Sequence, residues 1–318
     1  MKKGTVIALI VAACLIVTGG MLTFAGLLGA DFNFSQETVN KVYTAEGSFQ
    51  NIQIDTGVCD VRFFKTDGDL TVHCPKTERL EYIVLAEDGV LRISAMDMRK
   101  WYDFIGINLT ETKITVYLPE DQYDSLYIKT NTGDIDIPQD FSFDSASLQS
   151  DTGDVNFAAT VAEQLTVGVS TGDVDIRHTT VGQLEVHSST GDIELENVQV
   201  NGSVSLRSTT GKISAENMGC TNLHTQSNTG NTEMENVLVE GSMQITTTTG
   251  RVNMQNCDAE TVTIETDTGD VTGNFLSPKW FITETDTGNI KVPQSREGGE
   301  CRITTDTGNI IFGEIKLY

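Results

Sequence analysis

The sequence predicts an all-β fold: a β-solenoid of about ten coils with an N-terminal β cap, preceded by one transmembrane helix. Three observations lead to this prediction. A Thr-Gly pair recurs ten times at spacings of 19 or 20 residues, apolar residues alternate with polar ones around each pair, and the first thirty residues are almost uncharged. A repeat this short cannot bury its own apolar face, so neighbouring repeats must stack to form a core.

The N-terminal segment predicts a membrane anchor that crosses the bilayer through residues 5–30. Lys2 and Lys3 are followed by no charged residue until Asp31, and the run exceeds the roughly 20 residues that span a hydrocarbon core. The positive-inside rule places the N-terminus in the cytoplasm and the rest of the chain outside. A cleaved signal peptide and a lipoprotein signal at Val11–Cys14 remain open alternatives, and both would also export the chain.

The chain divides into four predicted segments. Residues 1–30 are the anchor, 31–45 a polar stalk, 46–130 an N-terminal β cap and 131–318 the solenoid. Pro- or Ser-rich sequence does not separate the cap from the solenoid, so we expect the two to form one continuous ectodomain.

Each Thr-Gly pair is predicted to be a structural corner, because glycine accepts the backbone angles that a bend or bulge needs. The ten pairs are Thr132-Gly133, Thr152-Gly153, Thr171-Gly172, Thr190-Gly191, Thr210-Gly211, Thr229-Gly230, Thr249-Gly250, Thr268-Gly269, Thr287-Gly288 and Thr307-Gly308.

Positions counted from each Gly form columns of like residues. Positions −7, −5, +2 and +4 are mostly apolar, as in Leu184, Val186, Ile193 and Leu195 around Gly191, and a period of two indicates strands with one buried face. The hydroxyl residues at −3 and the Thr at −1 continue the inward phase. Both are therefore predicted to face the core, which disfavours an ice-binding array.

A second corner is predicted at position +6, where Asn197, Asn217, Asn236 and Asn256 recur. Asn tolerates left-handed angles, and stacked Asn side chains can bond from coil to coil. The handedness of the coil is expected to be right-handed by analogy with parallel β crossovers.

The charge is strongly acidic. Removing Lys2 and Lys3 from the 21 basic residues leaves 19 against 45 acidic ones, a net charge of −26. Such a surface repels nucleic acid, so a nucleic-acid partner is not expected.

Acids beside the corners leave Ca²⁺ binding open, although Asp also caps turns without a metal. The acids in question are Asp134, Asp151, Asp154, Asp173, Asp192, Asp267, Asp270, Asp286 and Asp306.

Catalytic and cofactor-binding residues are not predicted. The four His share no column, and the sequence contains no HExxH, GxSxG, P-loop or CxxC pattern. Among the cysteines, Cys59 and Cys74 lie on neighbouring cap strands and could pair, whereas free buried thiols are the alternative for all of them.

A partner contact is predicted in the cap, where bases and aromatics cluster in a chain otherwise poor in both. Its residues are Arg99, Lys100, Trp101, Tyr102 and Phe104. The alternative is a loop whose aromatic rings pack beneath the first coil.

The ectodomain resembles the bacterial putative-adhesin family of β-strand-repeat surface proteins. The resemblance covers roughly residues 46–312 and is carried by Ile54-Asp55-Thr56-Gly57, by the LYIKTNTGDIDI block of Leu126–Ile137 and by the serial DTGDV, STGDV and STGDI units. It implies an exported β-solenoid with a surface or adhesive role, and it supplies no catalytic residues.

The predicted function is therefore that of a non-enzymatic, single-pass membrane protein with an extracellular solenoid. Its expected partner is a cell-envelope component or another surface protein. The alternative is an envelope-stress or signalling component that acts through a partner membrane protein.

Overall fold

The computed structural model describes residues 39–45, 47–76, 80–97 and 112–313. Within these ranges every regular element is a β-strand, and no helix there could cross a membrane. The anchor predicted at residues 1–30 lies outside them.

The strands fall into a terminal group and a group of coils. The terminal group is β1 (Val39–Thr44), β2 (Asn51–Val58), β3 (Asp60–Lys65), β4 (Thr71–Lys76), β5 (Leu80–Glu87), β6 (Val90–Asp97) and β7 (Lys113–Leu118). The coils comprise β8 (Gln122–Thr132), β9 (Ile135–Ile137), β10 (Ser142–Thr152), β11 (Val155–Phe157), β12 (Thr160–Thr171), β13 (Val174–Thr190), β14 (Ile193–Val200), β15 (Ser203–Thr210), β16 (Ile213–Cys220), β17 (Asn222–Thr229), β18 (Thr232–Val239), β19 (Ser242–Thr249), β20 (Val252–Cys257), β21 (Thr261–Thr268), β22 (Val271–Phe275), β23 (Lys279–Thr287), β24 (Ile290–Lys291), β25 (Gly299–Thr307) and β26 (Ile310–Phe312).

Two parallel ladders run the length of the solenoid. The strand before each Gly pairs with its counterpart in the next coil, as β8 does with β10 and β10 with β12. The strand after each Gly forms the second ladder, as β9 does with β11 and β14 with β16. Thr-Gly pairs align with Thr-Gly pairs throughout, so the β-solenoid of about ten turns is confirmed.

The core consists of the predicted apolar columns. At position +2, Ile135, Val155, Val174 and Ile193 are each 0% exposed. Burial of one such aliphatic side chain contributes about 1.5–3 kcal/mol relative to leaving it in water. Stacking therefore turns ten individually unstable repeats into one continuous core.

The Asn corner is also confirmed. Asn197, Asn217, Asn236 and Asn256 have φ of 53–54°, and their amides form a ladder. Asn217 Nδ2 donates to Asn197 Oδ1 at 3.1 Å, and Asn236 Nδ2 donates to Asn217 Oδ1 at 3.0 Å. His178 occupies the same position one coil earlier with φ of 52°, and its Nε2 lies 3.2 Å from Asn197 Nδ2.

The two ends of the coil stack differ. At the N-terminal end β2 and β3 stack on β8 and β9, and antiparallel strands β1, β4 and β5 complete the sheet. At the C-terminal end the coils do not stack in sequence order. The coil of β25 and β26 pairs with β21 and β22, and the earlier coil of β23 and β24 lies outside it.

The Gly of each pair is required by the approach of neighbouring coils. A Cβ built on Gly172 would lie 2.1 Å from the carbonyl oxygen of Gly153, and Gly172 has φ of +143°. Gly250 has no such φ, yet its Cβ would lie 1.9 Å from the carbonyl oxygen of Gly230. Close stacking therefore excludes a side chain even where the backbone would accept one.

We predict that Gly172→Ala lowers the free energy of unfolding by at least about 2 kcal/mol, because the new methyl group overlaps a backbone carbonyl at a strained φ. Gly168→Ala is the matched control, since a Cβ at Gly168 would meet nothing within 4 Å. Denaturant unfolding of both variants checks the prediction. Equal stability of the two would contradict the stacking geometry.

Candidate functional site

The ten Thr-Gly threonines face solvent, and the prediction that they point inward is wrong. Every one of the ten is exposed, from Thr132 in the first pair to Thr307 in the last. The residues at −3 do face the core: Ser188 is 0% exposed and Ser227 is 1% exposed. We call the surface formed by the ten threonines and ten glycines the Thr-Gly edge.

The prediction of inward threonines fails because the chain bends before the Gly and not at it. Between Ser150 and Thr152 the ladder pairing omits position −2, and positions −2 and −1 are both exposed. The alternation therefore breaks two residues before the Gly rather than at it. The register is unchanged across this point, so every coil bends in the same way, and the bend turns the Thr outward while Val155 at +2 returns to the core.

None of the ten exposed threonine hydroxyls has a hydrogen-bond partner within the described part of the chain. They repeat once per coil, at about the 4.8 Å spacing of neighbouring strands. An ice-binding array was disfavoured because both hydroxyl columns were predicted to face the core. The column at −1 faces solvent instead, but the column at −3 does not, so each coil exposes one hydroxyl residue of the pair rather than two.

Some of the buried hydroxyls at −3 bond to a neighbouring coil from inside, whereas those of Ser188, Ser208, Ser227 and Thr247 have no partner among the described residues. Ser150 Oγ donates to the carbonyl oxygen of Gly133 at 3.3 Å, and Thr305 Oγ1 donates to that of Gly269 at 3.2 Å. The acceptor is the same Gly carbonyl that excludes a Cβ from the next coil. At these two positions the −3 hydroxyl and the glycine therefore take part in the same contact between coils.

The carboxylates at +1 bind backbone rather than standing free beside the corner. Asp154 N donates to Asp134 Oδ1 at 2.9 Å, Asp173 N to Asp154 Oδ1 at 2.8 Å and Asp192 N to Asp173 Oδ1 at 2.7 Å. Among the described residues no three His, Cys, Asp or Glu side chains group closely enough to hold a metal ion. This arrangement explains the Asp column without a cation, and Ca²⁺ binding stays a prediction.

A shallow groove of about 480 Å³ follows the Thr-Gly edge over its last coils. Thr249, Thr268, Thr287 and Thr307 line it together with their glycines and with Arg251. Among the basic residues of the described coils before position 290, Arg177, Arg207, Lys212 and Lys279 have acidic partners within 4 Å, whereas Lys129 and Arg251 do not. Arg251 has none there, so its guanidinium is available to a ligand in the groove.

The predicted partner contact of Arg99, Lys100, Trp101, Tyr102 and Phe104 lies outside the described residues. The five cysteines that the structure describes are buried, and burial raises the pKa of Cys74, Cys220 and Cys301 to about 12. Thiols held protonated in this way are poor nucleophiles.

One buried ion pair was not predicted. Lys279, 4% exposed, places Nζ 2.5 Å from Asp258 Oδ1, 2.7 Å from the carbonyl oxygen of Ala259 and 2.8 Å from Ser277 Oγ. Its partner at the same level in the adjacent coil is Gly299, where a Cβ would lie 1.9 Å from the carbonyl oxygen of Glu260. The sequence feature that could have indicated this ion pair is the lysine nine residues before Gly288, a position at which the other coils have Gly, Thr, Asp or Glu.

These features define a class: an all-β repeat protein whose stacked coils expose one uninterrupted polar edge. Family comparison agrees with that class. The Toastrack DUF4097 model matches residues 49–220 and 201–312, and the chain belongs to this family.

Solved structures with which the chain was aligned include two putative adhesins. A putative adhesin from Parabacteroides distasonis ATCC 8503 is 14% identical, with 76% of this chain and 98% of that chain covered and a TM-score of 0.52. A putative adhesin from Bacteroides fragilis NCTC 9343 is 18% identical, with coverage of 88% and 98% and a TM-score of 0.45. The comparison with curated proteins found no match.

We predict that Asp173→Ala costs about 1 kcal/mol of stability, because the backbone N–H of Asp192 loses its acceptor. Asp173→Asn keeps an acceptor oxygen and removes repulsion between neighbouring carboxylates, so it should be neutral. Thermal unfolding with and without Ca²⁺ checks both variants. Stabilisation of the parent chain by Ca²⁺ that disappears in Asp173→Asn would instead identify a metal site.

Proposed function

We propose that this chain is a non-enzymatic surface protein, anchored in the membrane by residues 5–30, whose solenoid binds a component of the cell envelope or of another cell surface. The observation that carries the proposal is the Thr-Gly edge. Ten outward hydroxyls with no hydrogen-bond partner among the described residues repeat at one per coil, while the core, the Asp column and the Asn column are occupied by structural contacts.

A regular row of hydroxyls suits a partner that is itself repetitive and rich in hydrogen-bonding groups. Each coil offers a hydroxyl that can donate or accept, and the individual contacts are weak but add along the row. The acidic surface disfavours polyanions. We therefore expect an uncharged, hydroxyl-rich polymer such as a neutral glycan, or a protein surface of matching polarity.

The non-enzymatic part of the proposal is supported by the chemistry of the exposed surface. The described His residues lie apart, the buried thiols are protonated, and Lys279 is saturated by three acceptors. Catalysis needs a nucleophile or base held beside its partners. The related proteins described as adhesins agree with a binding role.

We predict that replacing Thr190, Thr210 and Thr229 together by Val weakens envelope binding of the full-length protein about tenfold or more. The methyl-for-hydroxyl change preserves shape and removes three neighbouring hydrogen-bonding groups. The matched control replaces Thr160, Thr180 and Thr261, which are exposed threonines away from the Thr-Gly edge.

Binding is measured by sedimentation of detergent-solubilised full-length protein with envelope fragments, and circular dichroism confirms that both triple variants are folded. Equal loss of binding in the control triple would remove the Thr-Gly edge from the interaction. Failure of the parent chain to bind any envelope fraction would overturn the proposed function.

A further inference from the structure

The residues at position +1 form a hydrogen-bond ladder along the Thr-Gly edge. In this ladder a side-chain oxygen of one coil accepts the backbone N–H at +1 of the next coil. Asp192 Oδ1 accepts from Lys212 N at 2.7 Å, and Asn231 Oδ1 accepts from Arg251 N at 3.0 Å. Each bonded step therefore needs a short side chain that carries an acceptor oxygen, which Asp and Asn have and Lys and Arg lack.

Two cations interrupt this ladder. Lys212 and Arg251 stand at +1 with no acceptor atom, and the backbone N–H groups of Asn231 and Asp270, one coil further on, have no hydrogen-bond partner within the described residues. In the remaining coils the N–H at +1 is bonded. An open N–H next to a cation is a place where the oxygen of an anion can bind.

The two interruptions differ in how the cation is neutralised. Lys212 Nζ lies 3.2 Å from Glu194 Oε1 and 4.0 Å from Glu233 Oε2, so acidic side chains of this chain already neutralise it. Glu233 stands to Arg251 as Glu194 stands to Lys212, three residues after the Gly of the preceding coil, but its carboxylate reaches towards Lys212 instead. The guanidinium of Arg251 is therefore the one left for an external anion.

The interruption at Arg251 opens into the groove of the Thr-Gly edge. Thr249 and Thr268 line that groove together with Arg251 and Asp270, so two hydroxyls, a guanidinium and an open N–H share one surface. The Asp270 carboxylate is engaged towards the following coil, where its Oδ1 accepts from Asn309 N at 2.8 Å and from Asn309 Nδ2 at 3.1 Å.

We propose that this interruption of the ladder binds the carboxylate of an otherwise uncharged glycan. One carboxylate oxygen accepts from Asp270 N, in the place that an Asp or Asn oxygen takes in the bonded coils, and the Arg251 guanidinium binds the carboxylate as well. Sugar hydroxyls bond to Thr249 and Thr268. The inference rests on the proposed function for the sugar part of the ligand, and it adds one charge to it.

The surrounding residues limit the ligand to isolated carboxylates. Asp267, Asp286 and Asp306 at position −2 are exposed along the same edge, so a polymer charged at every sugar would bring like charges against them. A carboxylate also suits the site better than a phosphate monoester. The bonded coils hold a carboxylate or amide oxygen at this place, and a phosphate brings nearly two negative charges.

The test compares glucose, glucuronic acid and glucose 6-phosphate, which share one ring and differ in carrying a hydroxyl, a carboxylate or a phosphate. Ligand-observed NMR titrations measure their binding to the full-length chain in detergent. The parent chain should bind glucuronic acid about tenfold or more tightly than either of the other two sugars. Arg251→Gln should remove this preference, whereas Lys212→Gln, the matched change at the other cation of the column, should keep it.

Arg251→Asn separates loss of the site from loss of the fold. Asn231 already accepts the N–H of the next coil from this position, so an Asn in place of Arg251 should bond to Asp270 N and close the interruption. The variant should lose the preference for glucuronic acid while its thermal unfolding midpoint rises by about 2–4 °C. A variant that loses binding because it misfolds would unfold at a lower temperature.

Equal affinity of the parent chain for the three sugars, or binding to none of them, would overturn the inference. A preference for glucuronic acid that survives Arg251→Gln would also overturn it. Tighter binding of glucose 6-phosphate than of glucuronic acid would overturn the assignment of the site to a carboxylate.

The outcome is separable from the proposed function. A chain that binds envelope fragments through the Thr-Gly edge but does not prefer glucuronic acid would refute the carboxylate site alone. A chain that prefers glucuronic acid in an Arg251-dependent way but binds no envelope fraction would refute the envelope partner alone.

Discussion

The contact on which this structure depends is the approach of successive glycines at the Thr-Gly edge. Each coil lies so close to the next that a Cβ on Gly191 would come within 2.0 Å of the carbonyl oxygen of Gly172. Some of the −3 hydroxyls, such as that of Ser150, and the +1 carboxylates, such as that of Asp173, bond across the same gap. Because these contacts set the register, a shift by one residue would turn every apolar column outward.

Much of the fold could be predicted because columns repeat. Ten copies of each position reveal which residues are apolar, and Asn at +6 signals left-handed backbone that the structure contains at Asn197 and Asn217. The outward orientation of the threonine at position −1 could not be predicted from the residue types in its column. Strict alternation from Ser188 predicts that Thr190 points inward, and nothing in the residue types reveals that a bend of the chain at position −2 turns it outward.

The order of the last coils was also hidden from the sequence. The coils that contain Gly288 and Gly308 have nearly the same columns, so either could stack on β21. The structure places the more apolar coil inside, where Cys301, Ile303 and Ile310 are 0% exposed, and leaves Thr283 and Ile290 outside. Lys279 reaches past Gly299 to Asp258 and so ties the outer coil to the stack. A buried ion pair often adds specificity rather than stability.

The central claim is that the threonines of the Thr-Gly edge face solvent while the hydroxyl residues two positions earlier face the core. Single cysteines at Thr229 and Ser227 test it most directly, since the native cysteines of the solenoid are buried. Under native conditions Thr229→Cys should react with a soluble maleimide at the rate of an exposed thiol, and Ser227→Cys should react only after unfolding. Equal protection of both positions, or rapid labelling of Ser227→Cys alone, would contradict the account.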